Sequence, residues 1–336
     1  MTAILVFIHF LSVEVSVSHA AHYTVTGGAC QNSIAGDNDL TMNPIRKEDI
    51  SQEVYDLFDK YVHDDIGRRE FMDQLGRYAA GGITAAALFE FLSPQYAGAQ
   101  QIKANDERLK TETVSYESPK GGGTIKGQLC RPVDAGRKLP GIVVVHENRG
   151  LNPYIADVGR RAAVAGFISL SPDALTPLGG YPGNDDDGRR LQRERDRDEM
   201  LEDFIAAFRY LKDHPECDGN VGVVGFCFGG WICNMMAVRL PDLKASVPFY
   251  GTQPDAADVA KIKAPLQLHY AELDSRVNAG WPAYEEALKE NEVEYQAYMY
   301  PEVNHGFHND TTPRYDKEAA TLAWNRTVDF FREHLK

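Results

Sequence analysis

Three observations predict an α/β fold whose central sheet is mostly parallel and covered by helices on both faces. Short apolar strand patterns alternate with amphipathic helical ones through the C-terminal two-thirds of the chain. One of those strands, 221–225, runs straight into Gly225-Phe226-Cys227-Phe228-Gly229-Gly230. Two later strands end in loops that carry first Asp274 and then His305. Residues 106–336 are assigned to this fold, and residues 1–105 to a helical or partly disordered N-terminal extension.

The extension opens with a largely apolar stretch, 4–17, and a cleavage-like Ser18-His19-Ala20, but no Lys or Arg precedes them as a secretory leader requires. Arg68-Arg69-Glu70-Phe71 resembles a twin-arginine export motif and is followed by a mildly apolar stretch, 78–92, and by Ala97-Gly98-Ala99. Export of an already folded protein to the periplasm is therefore expected. The alternative is a cytoplasmic chain in which this segment is an amphipathic helical appendage. Residues 78–92 are too few and too glycine-bearing for membrane insertion. The polar segment 100–106 reads as a linker.

The second domain opens with a β-hairpin signal, 112–116 and 124–130 around the turn Ser118-Pro119-Lys120-Gly121-Gly122-Gly123. Strand 141–145, a helix near 155–165 and strand 167–170 follow. The helix at 199–214 carries apolar residues at 201, 204, 205, 208 and 211, which form one buried stripe. Strands 221–225, 245–250, 266–270 and 293–300, a helix at 281–290 and a closing helix at 318–334 complete the series. The charged run 178–197 is expected to be a solvated, mobile loop at the mouth of the site. Its three consecutive aspartates do not have the spacing of a calcium loop.

Composition bounds the partners. Hydrophobic residues make up 43% of the 336 and charged residues 25%, the balance of a soluble globular protein. A net charge of −14 argues against nucleic acid or an anionic membrane as partner, because both require basic patches. The five cysteines (Cys30, Cys130, Cys217, Cys227, Cys233) include no Cys-x-x-Cys pair and no zinc spacing. No cofactor or metal is expected.

The chemistry centres on Cys227. A strand followed at once by Gly-x-Cys-x-Gly describes a nucleophile elbow, in which the turning residue is forced to positive φ and small residues must flank it. The elbow lifts its side chain above the sheet at a helix N-terminus, where backbone N–H groups favour a thiolate and a developing oxyanion. Such a nucleophile needs an acid and then a histidine on later post-strand loops, and Asp274 and His305 occur in that order. The strand 141–145 ends in His146-Glu147-Asn148-Arg149-Gly150. The backbone N–H groups of Asn148 and Phe228 are therefore the expected oxyanion donors. Glu147 then falls beside the thiol, where a carboxylate raises the thiol's proton affinity unless it shares the proton. Two further readings compete. One is a metal-dependent hydrolase built from His269, His305 and His308; the other is a non-catalytic binding protein on the same fold.

These residues together resemble the dienelactone hydrolase family, α/β-hydrolases with a Cys-His-Asp triad. The resemblance covers about residues 110–336 and rests on Gly-Phe-Cys-Phe-Gly-Gly, Glu147, Asp274 in Glu-Leu-Asp and His305 in Asn-His-Gly-Phe. It implies hydrolysis of a small ester or lactone, as by carboxymethylenebutenolidase. Cys227 would attack the carbonyl, His305 would serve as base and Asp274 would orient it. It also implies that Glu147 helps deprotonate the cysteine once substrate is bound. The best-known members carry a carboxylate-gripping arginine four residues after the histidine, where this chain has Asn309. Arg149, or Arg190 with Arg189 and Arg193 in the 178–197 insertion, would have to take over that contact.

Overall fold

The computed structural model describes residues 45–79 and 83–336; the leader-like stretch 4–17, Ser18-His19-Ala20 and Cys30 lie outside the described residues. Eight strands form one sheet in the order β1-β2-β4-β3-β5-β6-β7-β8. They are β1 (Leu109–Ser118), β2 (Gly123–Pro132), β3 (Leu139–Val145), β4 (Ile168–Asp173), β5 (Cys217–Phe226), β6 (Ala245–Phe249), β7 (Leu266–Ala271) and β8 (Tyr295–Tyr300). The hairpin β1–β2 and the pair β2–β4 are antiparallel, and every pairing from β4 through β8 is parallel. This is the mostly parallel sheet that the alternating pattern predicts.

Both faces are covered. On one, α4 (Pro153–Val164) and α10 (Lys317–His334) pack Tyr154, Ile155, Val158, Phe330 and Phe331 against Ile142, Val144, Val224 and Val247. On the other, α6 (Arg197–Lys212), α7 (Phe228–Arg239) and α9 (Trp281–Glu290) cover Val143, Val145, Val221 and Val223. The stripe Leu201, Phe204, Ile205, Phe208 and Leu211 is wholly buried, and burial of each such side chain stabilises by roughly 1.5–3 kcal/mol.

The N-terminal segment is more ordered than its composition suggests. Helices α1 (Gln52–Val62), α2 (Arg68–Leu75) and α3 (Ala85–Leu92) enclose an apolar cluster of their own, with Leu57, Phe58, Phe71, Leu75, Leu88 and Leu92 buried. The chain from Met42 to Lys336 is one compact unit. Arg68 and Phe71 of the twin-arginine-like motif are part of that unit: Phe71 is fully buried and Arg68 pairs with Asp186. The expected linker 100–106 is also tied down, because Asp157 of α4 accepts hydrogen bonds from the N–H groups of Gln101 (3.1 Å) and Ile102 (2.8 Å). No helix among the described residues is long and apolar enough to cross a membrane.

The run 178–197 corrects the expectation of a mobile loop. Residues Asp185–Arg193 form helix α5, capped by Asn184, whose side chain accepts from Asp187 N at 2.9 Å. Asp185, Asp186 and Asp187 occupy the first turn, with Arg190 and Arg193 in the last, so charges that read as a solvated run complement the helix dipole. Asp185, Arg189, Gln192 and Arg195 are buried.

Candidate active site

The turn after β5 is the tightest feature of the site. Cys227 has φ 57° and ψ −112°, and α7 begins at the next residue. A Cβ on Gly225 would lie 2.2 Å from the Gly229 carbonyl oxygen, and one on Gly229 would lie 2.5 Å from that of Val145. Glycine at both positions is what allows the strand, the turn and the helix to approach one another. Cys227 N–H donates to Phe249 O at 3.1 Å and fixes the turn against β6. The side chain is only 8% exposed and lies on the wall of a cleft of about 460 Å³. Among the described residues, the N–H groups of Phe228 and Asn148 have no backbone acceptor. The Asn148 side chain is held by the Val62 carbonyl, which accepts from its Nδ2 at 2.5 Å.

Asp274 and His305 meet on the loops after β7 and β8, where both line a second cavity. Asp274 leaves the end of β7 as the cap of the short helix α8 (Ser275–Asn278), where its Oδ1 accepts from Val277 N at 3.1 Å. Its Oδ2 lies 2.6 Å from His305 Nδ1 on the loop after β8. Burial opposes charge on His305, but Asp274 and then Cys227 outweigh it, and the imidazole's proton affinity rises to a pKa of about 10. His305 Nε2 is buried and has no hydrogen-bond partner. The Cys227 thiol is held well below its ordinary range: burial works against the thiolate, and the charges of His305 and His63 override it.

Glu147 is fully enclosed at the end of β3. Its carboxyl is pushed up by burial, an effect that Arg149 partly offsets and Cys227 reinforces. Arg149 lies 3.6 Å from Glu147 and 2.7 Å from Asp185 of α5, itself buried. Asn309, at the position where the best-known family members carry an arginine, donates from Nδ2 to Glu147 Oε2 at 3.0 Å.

Of the four arginines considered from the sequence, Arg189 and Arg193 line the cleft, and Arg149 and Arg190 do not. Arg149 is buried behind Glu147, committed to two carboxylates. Arg190 lies on the outer face of α5, its side chain 54% exposed and paired with Asp187 and Glu194. The helical phase of α5 turns Arg189 and Arg193 toward the cleft instead, where Asp186 and Asp64 pair with them. Arg197, the first residue of α6, also lines the cleft, with its guanidinium 3.5 Å from the centre of the Trp231 ring. No carboxylate forms an ion pair with it among the described residues.

His63, just past α1, was not singled out from the sequence. Its Nε2 is 3.3 Å from Cys227 Sγ, its Nδ1 is 2.8 Å from Asp59 O, and its ring meets His305 edge-on at 4.8 Å. A signal existed in the apolar stripe of Val54, Leu57, Phe58 and Tyr61 that ends beside it, but nothing local ties this stripe to the turn at Cys227.

The histidines of the metal reading are not gathered. His269 is stacked on Phe249, bonded to Tyr300 Oη and Gln267, and burial pushes it down to about 3. His308 Nδ1 is engaged by Tyr154 Oη at 2.7 Å. The close-set group among the described residues is His63, Cys227 and His305.

A mostly parallel sheet with a strained cysteine turn and acid and histidine on later loops defines an α/β-hydrolase. The sequence pattern of the dienelactone hydrolase family matches residues 125–335, and a YqhI-like pattern matches residues 42–81. The chain belongs to the dienelactone hydrolase family and is a hydrolase acting on ester bonds of the carboxylic ester or lactone type. It is 54% identical over 114 residues to the "Putative hydrolase fragment YghX" of Escherichia coli (strain K12), covering 34% of this chain and 97% of that one. It is 31% identical to a "Putative carboxymethylenebutenolidase" of Synechocystis sp. over 68% of this chain and 98% of that one. Among solved structures, a dienelactone hydrolase-like promiscuous phosphotriesterase from metagenomic libraries superposes with a TM-score of 0.59 at 25% identity, over 68% of this chain and 100% of the other.

Proposed function

We propose that the protein hydrolyses small esters or lactones through an acyl-cysteine intermediate, with Cys227 as nucleophile, His305 as general base and acid, and Asp274 orienting His305. The observation that carries this reading is the 2.6 Å contact from Asp274 to His305 Nδ1, which leaves a buried, unpartnered Nε2 near Cys227. The sulfur attacks the carbonyl carbon, and the developing oxyanion is met by the N–H groups of Phe228 and Asn148. Collapse of the tetrahedral adduct expels an alkoxide, which takes its proton from His305; in a lactone the alkoxide stays tethered to the acyl group. Water then attacks the thioester with His305 as base and frees the thiol. The thiol proton passes to His305, which later gives it to the alkoxide, and Glu147 assists that deprotonation when substrate enters, a role that its burial and raised proton affinity support.

Intact-protein mass spectrometry after quenching turnover of p-nitrophenyl esters and lactones tests the proposal. One acyl increment on Cys227 is expected. Cys227→Ala should lose the increment and about 10⁴-fold or more of the rate. Turnover that persists in this variant would overturn the proposal.

A further inference from the structure

We propose that Cys227, His63 and His305 form a binding site for a zinc-class divalent cation, and that the bound ion withdraws the sulfur from hydrolysis. The cation site stands on geometry alone; its inhibitory effect rests on the function proposed above.

One ligand atom from each residue lies within 4.8 Å of the other two. Zinc takes sulfur at about 2.3 Å and imidazole nitrogen at about 2.0–2.1 Å, so tetrahedral ligands stand roughly 3.3–3.6 Å apart. The pair Cys227 Sγ and His63 Nε2 is already 3.3 Å apart. The third atom needs to close by about 1 Å to complete that geometry.

Both imidazoles are prepared as ligands from behind. Asp274 engages His305 Nδ1 at 2.6 Å, while the Asp59 carbonyl and carboxylate lie 2.8 Å and 3.3 Å from His63 Nδ1. A proton held at each Nδ1 leaves the Nε2 lone pair facing the sulfur, the arrangement that orients metal-bound histidines. His305 Nε2 is buried without a partner. Arg276 donates to His63 Nε2 at 2.8 Å, which marks the lone pair on that atom. One thiolate and two imidazoles favour zinc over magnesium or calcium. The cleft leaves room for water as fourth ligand. Binding releases to solvent the protons that the sulfur and the two Nε2 atoms hold among them, and it occupies the electron pair that would attack a carbonyl.

The Arg276 guanidinium competes for the same lone pair, so the proposal makes opposite predictions for its two neighbours. Full-length protein stripped with a chelator would be titrated with Co²⁺ as a spectroscopic stand-in for Zn²⁺, following the thiolate-to-cobalt charge-transfer band. A saturable band that Zn²⁺ displaces is expected, and Cys227→Ala should abolish it. His63→Gln should weaken binding by roughly tenfold or more, and Arg276→Gln should tighten it. Absence of the band, unchanged affinity in His63→Gln, or no gain in Arg276→Gln would overturn the proposal. Parallel assays with p-nitrophenyl acetate separate the two readings. Cobalt binding without thiol-dependent esterase activity removes the hydrolytic mechanism and keeps the cation site. Thiol-dependent hydrolysis that Zn²⁺ leaves untouched does the reverse.

Discussion

Asn309 holds Glu147 through a 3.0 Å hydrogen bond, and its own carbonyl oxygen is pinned by Thr311, which donates from N at 3.1 Å and from Oγ1 at 2.6 Å. The amide orientation is therefore fixed: the oxygen has two donors, so the NH₂ group must face the carboxylate. The residue that stands where the best-known family members carry a substrate-gripping arginine acts inward, on a buried acid.

Asn309→Asp tests this arrangement. The new carboxylate keeps both Thr311 donors but faces Glu147, and two buried like charges resist joint ionisation. The variant should lose about 2–4 kcal/mol of stability near neutral pH. The sign with pH follows from Glu147, whose proton affinity is already raised by burial. A raised acid binds its proton more readily folded than unfolded, so its penalty grows as pH climbs from the ordinary carboxylate range through the folded pKa. Urea unfolding should show a smaller deficit at about pH 5 than at about pH 8; an equal deficit at both would refute the contact's electrostatic role.

Arg149 is the counter-charge for two enclosed acids, Glu147 and Asp185, and Asp185 also accepts from Tyr96 Oη (2.7 Å) and Tyr181 Oη (3.0 Å). Arg149→Met should cost about 3–5 kcal/mol, because it strands buried charge rather than merely losing a contact. Adding Asp185→Asn should recover part of that loss. A double variant as unstable as the sum of the singles would refute the coupling, and urea midpoints at a fixed pH decide it.

The difference between what could and could not be read from sequence follows contact range. The turn at Cys227 is written in consecutive residues, because Gly225 and Gly229 are required within one turn of chain. Asp274 and His305 were legible because strand ends place them at one edge of the sheet. His63 was not, since its contact spans 164 residues and depends on how three helices dock. Helix α5 was missed for a different reason. Its charges outweighed its cap, yet Asn184 followed by three aspartates, with arginines a turn or two later, is a helix start and stop. The outward position of Arg190 was missed with it, because only the helical phase decides which arginines of that run face the cleft.

Two imidazoles beside one thiol should be visible in its reactivity. With Cys227 held well below the usual thiol range, alkylation by iodoacetamide should be nearly flat between about pH 7 and 9, where an ordinary thiol of pKa about 8.5 accelerates more than roughly tenfold. His63→Gln should restore part of that slope. A wild-type profile that climbs like a free cysteine would mean that the resting sulfur is protonated.

Arg197 offers the cleft a guanidinium held over Trp231 without a carboxylate partner among the described residues. A substrate anion there would gain a charge-assisted hydrogen bond, about 1.5–3 kcal/mol. Arg197→Gln should therefore raise KM roughly tenfold for esters bearing a carboxylate and change it less than about twofold for neutral ones, with kcat nearly constant in both. Equal effects on the two substrate sets would show that the side chain serves packing alone.

The backbone at Cys227 stores strain that the fold must offset. A non-glycine residue at φ 57° and ψ −112° sits in a sparsely populated region that costs of order 1–3 kcal/mol. Glycine removes that cost but gives up about 0.5–1 kcal/mol through the freedom it adds to the unfolded chain. Cys227→Gly should therefore be more stable than Cys227→Ala by about 1 kcal/mol, although both lack the sulfur. The comparison uses two inactive variants, so lost chemistry cannot mimic the effect. Matched urea midpoints would mean that the turn is relaxed, and that Gly225 and Gly229 serve close packing of strand against helix rather than a forced conformation at the cysteine.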